Sequence, residues 1–306
     1  MLDEREAESC YLGQYIPVHY HHNMLMNESR MVNFKAAIEH AVFPGAKVLE
    51  LGGGTGVLSW FAAARANKVW CVEYNPDLVK ESRKFLAQNA NGHKVEIVHA
   101  DAFDYLPPEP VDVVICEMIH VAMLREKQVQ VIESFKRRYR ERFGDRMPVF
   151  LPEAAVMAIQ PLQQAYNFFG YNAPIIQFQQ HAASYPGTVE LGVPMVYKTL
   201  DYTQPNDTRI AWAGRLAMER SGKLNALRFI TKNVLAVQMA QATTIDWLNH
   251  YMIVPLDTPV DVSRGDRIDV RFEYRAGSSI PSLQHAIRIE LADCTDRAAT
   301  WERAYA

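Results

Sequence analysis

Apolar residues in the first half of the chain recur in two alternating rhythms. Met31, Phe34, Ile38, Ala41 and Val42 fall at helical spacing behind Asn27, a side chain suited to accept hydrogen bonds at a helix start, and Pro44-Gly45 stops the run. The next run, 48–51, is continuous and β-type; it leads into Gly52, Gly53, Gly54 and Gly56 and then into good helix formers over 57–66. This predicts strand, tight turn and helix. The alternation repeats: a strand over 69–72 ending in Glu73, a helix opened by Asn75-Pro76-Asp77 and closed near Gly92, strands over 95–98 and 111–116 ending near Asp101 and on Glu117, and an amphipathic helix over about 126–142. Unbroken apolar strands between helices predict an α/β domain with a parallel sheet covered on both faces.

Near Met147-Pro-Val-Phe-Leu-Pro152 the pattern changes to short alternating strands separated by turn clusters. Residues 267–274 alternate polar and apolar strictly, as do 287–291, and Ser263-Arg-Gly-Asp266 is a turn signal before the first. The chain therefore divides into an N-terminal helical segment over 1–46 that contributes to the site, a sheet domain over 47–151, and a β-barrel-like or sandwich domain over 152–306. Residues 166–184, rich in aromatics and glutamines, are the least regular and are read as a helical arm.

Composition narrows the function mainly by exclusion. Thirty-two basic and thirty-five acidic residues leave a formal charge of −3, which favours neither nucleic acid nor a membrane surface as partner. The basic run on the helix over 126–142 reads as a solvated face. Four cysteines lack metal-ligand spacing, and the pattern fits small buried hydrophobes in a reducing, cytoplasmic setting. His19, His21 and His22 lie close together without Cys or acid partners, so no metal is expected. The charged start and the lack of a long apolar run predict neither signal peptide nor membrane span.

The chemistry sits at the strand ends, where doubly wound sheets bind ligands. Glycine in the turn at 52–56 accepts positive φ and lets a ligand approach bare backbone. A carboxylate such as Glu73, after the second strand, is placed to bind a ribose diol. The turn lacks the spacing expected for a pyrophosphate, and Glu50 precedes it. Acids suit a ligand carrying an ammonium and a sulfonium, so S-adenosylmethionine is favoured over a nicotinamide dinucleotide. Glu117 and Glu126 flank a loop that can fold them together, an arrangement suited to a guanidinium held by two carboxylates. From the residues alone, Glu126 is equally well explained as a first-turn helix residue.

An ordered series of motifs resembles the protein arginine methyltransferases, class I enzymes with a Rossmann-like domain followed by a β-barrel-like domain. It comprises Tyr11 and Tyr15, then His21-His-Asn-Met-Leu and Arg30; 49–58 as the cofactor motif; Glu117 and Glu126 at the spacing of the paired glutamates; Phe150-Leu-Pro152; Ile245-Asp246-Trp247 in place of a Thr-His-Trp loop; and a barrel segment over 259–273. The resemblance implies that Arg30 pairs with the cofactor carboxylate, that Glu50, Gly52, Gly54 and Gly56 line its amino-acid end, that Glu73 holds the ribose, and that Asp101 and Ala102 border the adenine. It further implies that Glu117 and Glu126 grip a guanidinium while Tyr15 and Met24 shape the methyl's surroundings, and that the chain forms a homodimer.

The departures lie on the acceptor side. Asp246 stands where the family has histidine, and Met118-Ile-His120 replaces Trp-Met-Gly. His120, Asp246 and Trp247 are therefore acceptor-shaping candidates. The expected activity is methyl transfer to a guanidinium nitrogen of protein arginine or of a small guanidino compound. The alternatives are O- or N-methylation of a non-guanidinium metabolite and an inactive binding module.

Overall fold

The computed structural model describes residues 16–291. The readings that fall on Tyr11, Tyr15, Cys10, Cys294 and Trp301 lie outside them. Two helices lead in, α1 (Val18–Met26) and α2 (Glu28–Ala41). Asn27 caps α2, its Oδ1 accepting from Arg30 N at 3.0 Å. The apolar side of α2 buries Phe34, Ala37 and Ile38 completely or nearly so.

The sheet domain follows as β1 (Lys47–Leu51), α3 (Val57–Ala63), β2 (Lys68–Glu73), α4 (Pro76–Ala87), β3 (Val95–His99), β4 (Val113–Cys116), α5 (Gln128–Phe143) and β5 (Val149–Leu151). Its five strands lie in the order β3-β2-β1-β4-β5, with every neighbouring pair parallel. The apolar run of β1 is central because Val48, Leu49 and Leu51 are all fully buried. Parallel pairing brings the carboxyl ends of all five strands to one edge. Glu73 ends β2, and Glu117 directly follows β4.

The remaining chain is antiparallel. One seven-stranded sheet contains β6 (Ala154–Gln164), β9 (Gln177–Gln179), β10 (Thr188–Glu190), β11 (Met195–Asp201), β13 (Gly222–Gln238), β14 (Thr243–Leu248) and β15 (Tyr251–Val262). Its main path runs β10-β6-β13-β15-β9, with β11 also on β6 and β14 also on β13. A three-stranded sheet of β12 (Arg209–Ala217), β16 (Arg267–Arg275) and β17 (Arg288–Leu291) faces it, with the short helix α6 (Ile280–Gln284) before β17. The Rossmann-like sheet and a curled antiparallel half-barrel thus follow one another. One connected apolar cluster runs from Val48 in β1 to Phe272 in β16.

Two expectations need correction. Residues 166–184 form no helix: β7 (Asn167–Phe168) and β8 (Tyr171–Asn172) make a hairpin, and β9 adds to the barrel edge beside β15. Phe168-Phe169-Gly170 supplies the turn, with Asn167 Oδ1 accepting from Gly170 N at 2.9 Å, and such a turn competes with helix. Lys136, counted among a solvated basic run, is buried; its Nζ donates to the carbonyls of Tyr202 at 3.2 Å and Gln204 at 2.6 Å, tying α5 to the barrel.

Candidate active site

A cavity of about 390 Å³ opens at the carboxyl edge of the parallel sheet and continues under the barrel. That volume lies in the usual range of small-molecule sites. Its floor is the glycine turn. Gly52 and Gly53 donate to the Val72 carbonyl at 3.0 and 2.9 Å, and Gly54 donates to Glu73 Oε2 at 2.8 Å. Gly52 and Gly54 have φ of +79° and +54°. A Cβ on Gly52 would come within 2.8 Å of Met118 Cγ, and one on Gly54 within 2.7 Å of the His21 ring. Bare backbone here is what leaves room beneath Met118 and His21.

The acids around this turn are already engaged. Buried Glu50 accepts through Oε2 from Ser59 N at 2.9 Å and from the Ser59 hydroxyl. Burial raises its pKa to about 7 against the opposing effect of the Ser59 hydrogen bonds. Glu73 also accepts from Asn75 N at 2.8 Å, so its two oxygens brace the turn and the start of α4. Asp101 Oδ1 accepts from Phe103 N at 2.9 Å, and Asp101, Ala102 and Phe103 form one end of the wall. Gly56 does not reach the wall: with φ +80° it starts α3, and its α-carbon faces Leu86 and Ser82.

Arg30 and the paired glutamates meet at the other end. Arg30 lies over the Phe34 ring, 5.5 Å from its centroid, and donates to Glu117 Oε2 through Nε at 3.0 Å and through Nη2. Glu126 shares the cavity with Glu117. Burial, and next the charge of Glu117, push its carboxyl up to about 8. Glu126 precedes α5 rather than opening it, because Arg125, at φ +61°, turns the chain there.

The loop carrying both glutamates is shaped by the barrel. Ala122, Met123 and Arg125 all have left-handed backbones, φ +58°, +53° and +61°. Such residues cost on the order of 1–3 kcal/mol each and persist only where surroundings over-determine them. Here Thr231 Oγ1 accepts from Ala122 N at 2.8 Å, and Tyr274 Oη donates to the Ala122 carbonyl at 2.9 Å. Arg125 N donates to the Ser278 carbonyl at 2.7 Å, and Gly277 N to that of Met123 at 2.7 Å. Within the sheet domain, Gln128 Oε1 accepts from Met118 N at 2.9 Å.

Met24, His120 and Trp247, named from the sequence as candidates to shape the acceptor side, line the cavity. Burial lowers His120 to about 4, and its Nδ1 lies 3.0 Å from the Val121 carbonyl. Trp247 is buried against Phe34, with ring centroids 5.8 Å apart. Asp246 does not reach the cavity. Strand alternation in β14 sends it away from the side Trp247 faces, and its Oδ2 accepts from Lys232 Nζ at 2.7 Å and Thr244 Oγ1 at 2.9 Å.

The walls also include His21, Met118, Phe178, Asn249 and His250, none singled out as a site residue from sequence. His21 had a local signal, standing three residues before Met24 on one face of α1. Asn249 had none: its Nδ2 donates to the Ile119 carbonyl at 3.3 Å and its Oδ1 accepts from Asn233 at 2.6 Å, contacts that only the barrel's pairing creates. Among the described residues, no group of three or more His, Cys, Asp or Glu is placed to hold a metal. No helix among them is long and apolar enough to cross a membrane.

Residues 48–142 match the family model of a methyltransferase domain. The chain is an S-adenosylmethionine-dependent methyltransferase. This methyltransferase is 28% identical over 269 residues to an uncharacterized protein of Methanocaldococcus jannaschii, covering 87% of this chain and 95% of that one. It is 30% identical over 201 residues to protein arginine N-methyltransferase PRMT10 of Arabidopsis thaliana, covering 63% of this chain and 51% of the plant protein. It thus spans about half of that relative's length.

Among solved structures, Arabidopsis PRMT10 in an open conformation superposes with a TM-score of 0.69 at 17% identity, over 86% of this chain and 89% of that one. The Trypanosoma brucei PRMT1 enzyme-prozyme heterotetramer with AdoHcy gives 0.67 at 15%, over 90% and 98%. At these identities the structural likeness carries the fold. The residues present fit the cofactor: bare glycines leave a cradle that side chains would fill, and the cavity joins that cradle to acids and to Arg30.

Proposed function

We propose that the acceptor of this methyltransferase is a guanidinium nitrogen. The observation that carries the reading is the placement of Glu117 and Glu126 in the same buried cavity as the glycine turn, with Arg30 beside them. Two carboxylates facing one small space match a planar cation with several donors better than a neutral hydroxyl, which would leave one charge unpaired.

In this reading Gly52, Gly54 and Glu50 line the amino-acid end of S-adenosylmethionine, Glu73 meets the ribose, and Asp101 and Ala102 border the adenine. Arg30, which lines the same cavity and pairs with Glu117, would hold the cofactor carboxylate. The cofactor supplies an electrophilic methyl. Glu117 and Glu126 hold the guanidinium and draw its charge toward two of its nitrogens, leaving a lone pair on the third. As methylation makes the whole guanidinium more acidic, Glu126 is suited to take a proton from the nitrogen it holds, since burial makes it a stronger base than an ordinary carboxylate. Met24 and Trp247 confine the acceptor. Position and local electrostatics supply most of the acceleration.

The test is transfer from labelled S-adenosylmethionine to guanidino acceptors by wild type and Glu117→Gln, with donor affinity measured by calorimetry. The variant is expected to lose about a hundredfold or more in turnover, the scale of one directed electrostatic group, while still binding donor. Near-wild-type transfer by it would remove the paired carboxylates from the mechanism.

A further inference from the structure

The stretch at 166–184, expected as an arm, instead folds back onto the mouth of its own site. Its strand β9 pairs with the start of β15, with Phe178 opposite Met252 and Gln179 opposite Tyr251. Phe178 lines the cavity and meets the His120 ring edge-on, with centroids 5.8 Å apart. His120 belongs to the loop between the two glutamates, so β9 closes the acceptor end from the barrel side. Asn249, held to the Ile119 carbonyl and to Asn233, fixes the irregular junction where the chain passes from β14 into β15 along the same edge of β13, on the adjoining wall. His250, next in that junction, also lines the cavity. His181, just beyond β9, is edge-on to the Tyr251 ring at 6.4 Å, and burial, and next the charge of His181, lower the His250 pKa, so its ring is neutral before a ligand arrives.

The acceptor end is therefore polarised. Its inner part carries two carboxylates, and its outer part carries an aromatic wall with the imidazole of His250; the one N–H of neutral His120 is already used on the Val121 carbonyl. Even the neutral His250 imidazole offers one N–H to an anion. A peptide arginine would have to bring its flanking backbone past Phe178, whereas a small compound only has to place an anionic end near His250.

We propose that the acceptor is a small free guanidino acid, a guanidinium and a carboxylate joined by a short aliphatic chain, with Phe178 as the size barrier and His250 as the carboxylate contact. This rests on the guanidinium reading above and goes further by assigning the other end of the substrate.

Wild-type enzyme with labelled S-adenosylmethionine is offered four probes: free arginine; agmatine, which lacks the carboxylate; an arginine-containing peptide; and citrulline, a neutral isostere of arginine. Methylation of arginine with a kcat/KM at least about tenfold above agmatine and peptide is expected, the worth of one charge-assisted hydrogen bond. His250→Gln should raise KM for arginine about tenfold while leaving KM for agmatine and kcat little changed. Phe178→Ala should shift the ratio of peptide to arginine turnover toward peptide. Preference for the peptide in wild type overturns this inference and leaves the guanidinium reading standing. Equal use of agmatine and arginine removes the carboxylate contact. Transfer to citrulline but to no guanidinium compound overturns both. The wild-type panel decides even if a variant fails to fold.

Discussion

Raising the pH should switch on the acceptor side of the cavity. Burial and the neighbouring Glu117 hold the Glu126 carboxyl at about 8. On that value only about one Glu126 in a hundred is ionised near pH 6 and about one in ten near pH 7. If the ionised form meets the guanidinium, kcat/KM for the acceptor at saturating donor should climb about tenfold per pH unit and level off near 8. An arginine guanidinium stays protonated throughout, so the bend belongs to the enzyme. In the ternary complex the cation stabilises the carboxylate, and the bend in kcat should lie at lower pH. The assay is initial-rate methyl transfer over about pH 6 to 9 at constant ionic strength. A profile flat over that range, as a carboxyl at the ordinary value of 4.5 would give, would refute the account of Glu126.

A stability measurement tests the same group without catalysis. Its folded pKa lies above the unfolded one, and the raised group is an acid. Between about 4.5 and 8 the unfolded chain releases a proton that the folded chain keeps, so wild type loses stability as pH rises through that window and no further. Glu126→Gln lacks this loss. The gap in melting temperature in favour of the variant should open across the window and then hold constant.

Two further variants probe the scaffold. Thr231→Ala leaves the buried Ala122 N–H without its acceptor; it should cost about 1–3 kcal/mol and lower turnover with donor binding retained, and Thr231→Ser should restore both, read by thermal melts and initial rates. Gly53→Ala would place a Cβ 2.1 Å from Cys71 Sγ; a loss of about 1–3 kcal/mol or more is expected, largely recovered in the double variant with Cys71→Ala, and equal damage in both would refute the clash.

Local pattern carried much of the fold. The glycine turn, the first four strands and the Asn27 cap were legible because each is written in neighbouring residues. The fifth strand was not, since Val149–Leu151 is only three residues long and sits between prolines. In the site, Glu117 and Glu126 were visible through their spacing, whereas the three left-handed residues that bring them together were not: none is glycine, and the barrel enforces their conformation. Asp246 was an acceptor candidate because it stands at the histidine position of the family's Thr-His-Trp loop, and strand alternation took it to Lys232 instead. Asn249 and His250 reach the cavity from the junction of β14 and β15, whose placement depends on both strands pairing with β13. Residues 166–184 were read as an arm because aromatics and glutamines are compatible with more than one local structure, and pairing with β15 decided the matter.

The grip of the barrel on the Glu117–Glu126 loop has a consequence for how such an enzyme can diversify. Thr231, Tyr274, Gly277 and Ser278 hold a loop that belongs to the other half of the molecule. A barrel exchanged for one with a different acceptor mouth would have to reproduce those four contacts, or the carboxylates would lose their mutual placement. Donor and acceptor halves therefore cannot be inherited as independent modules. New acceptor specificity is open chiefly at β9, which lines the mouth without hydrogen bonding to that loop, whereas Asn249 also holds the loop through the Ile119 carbonyl.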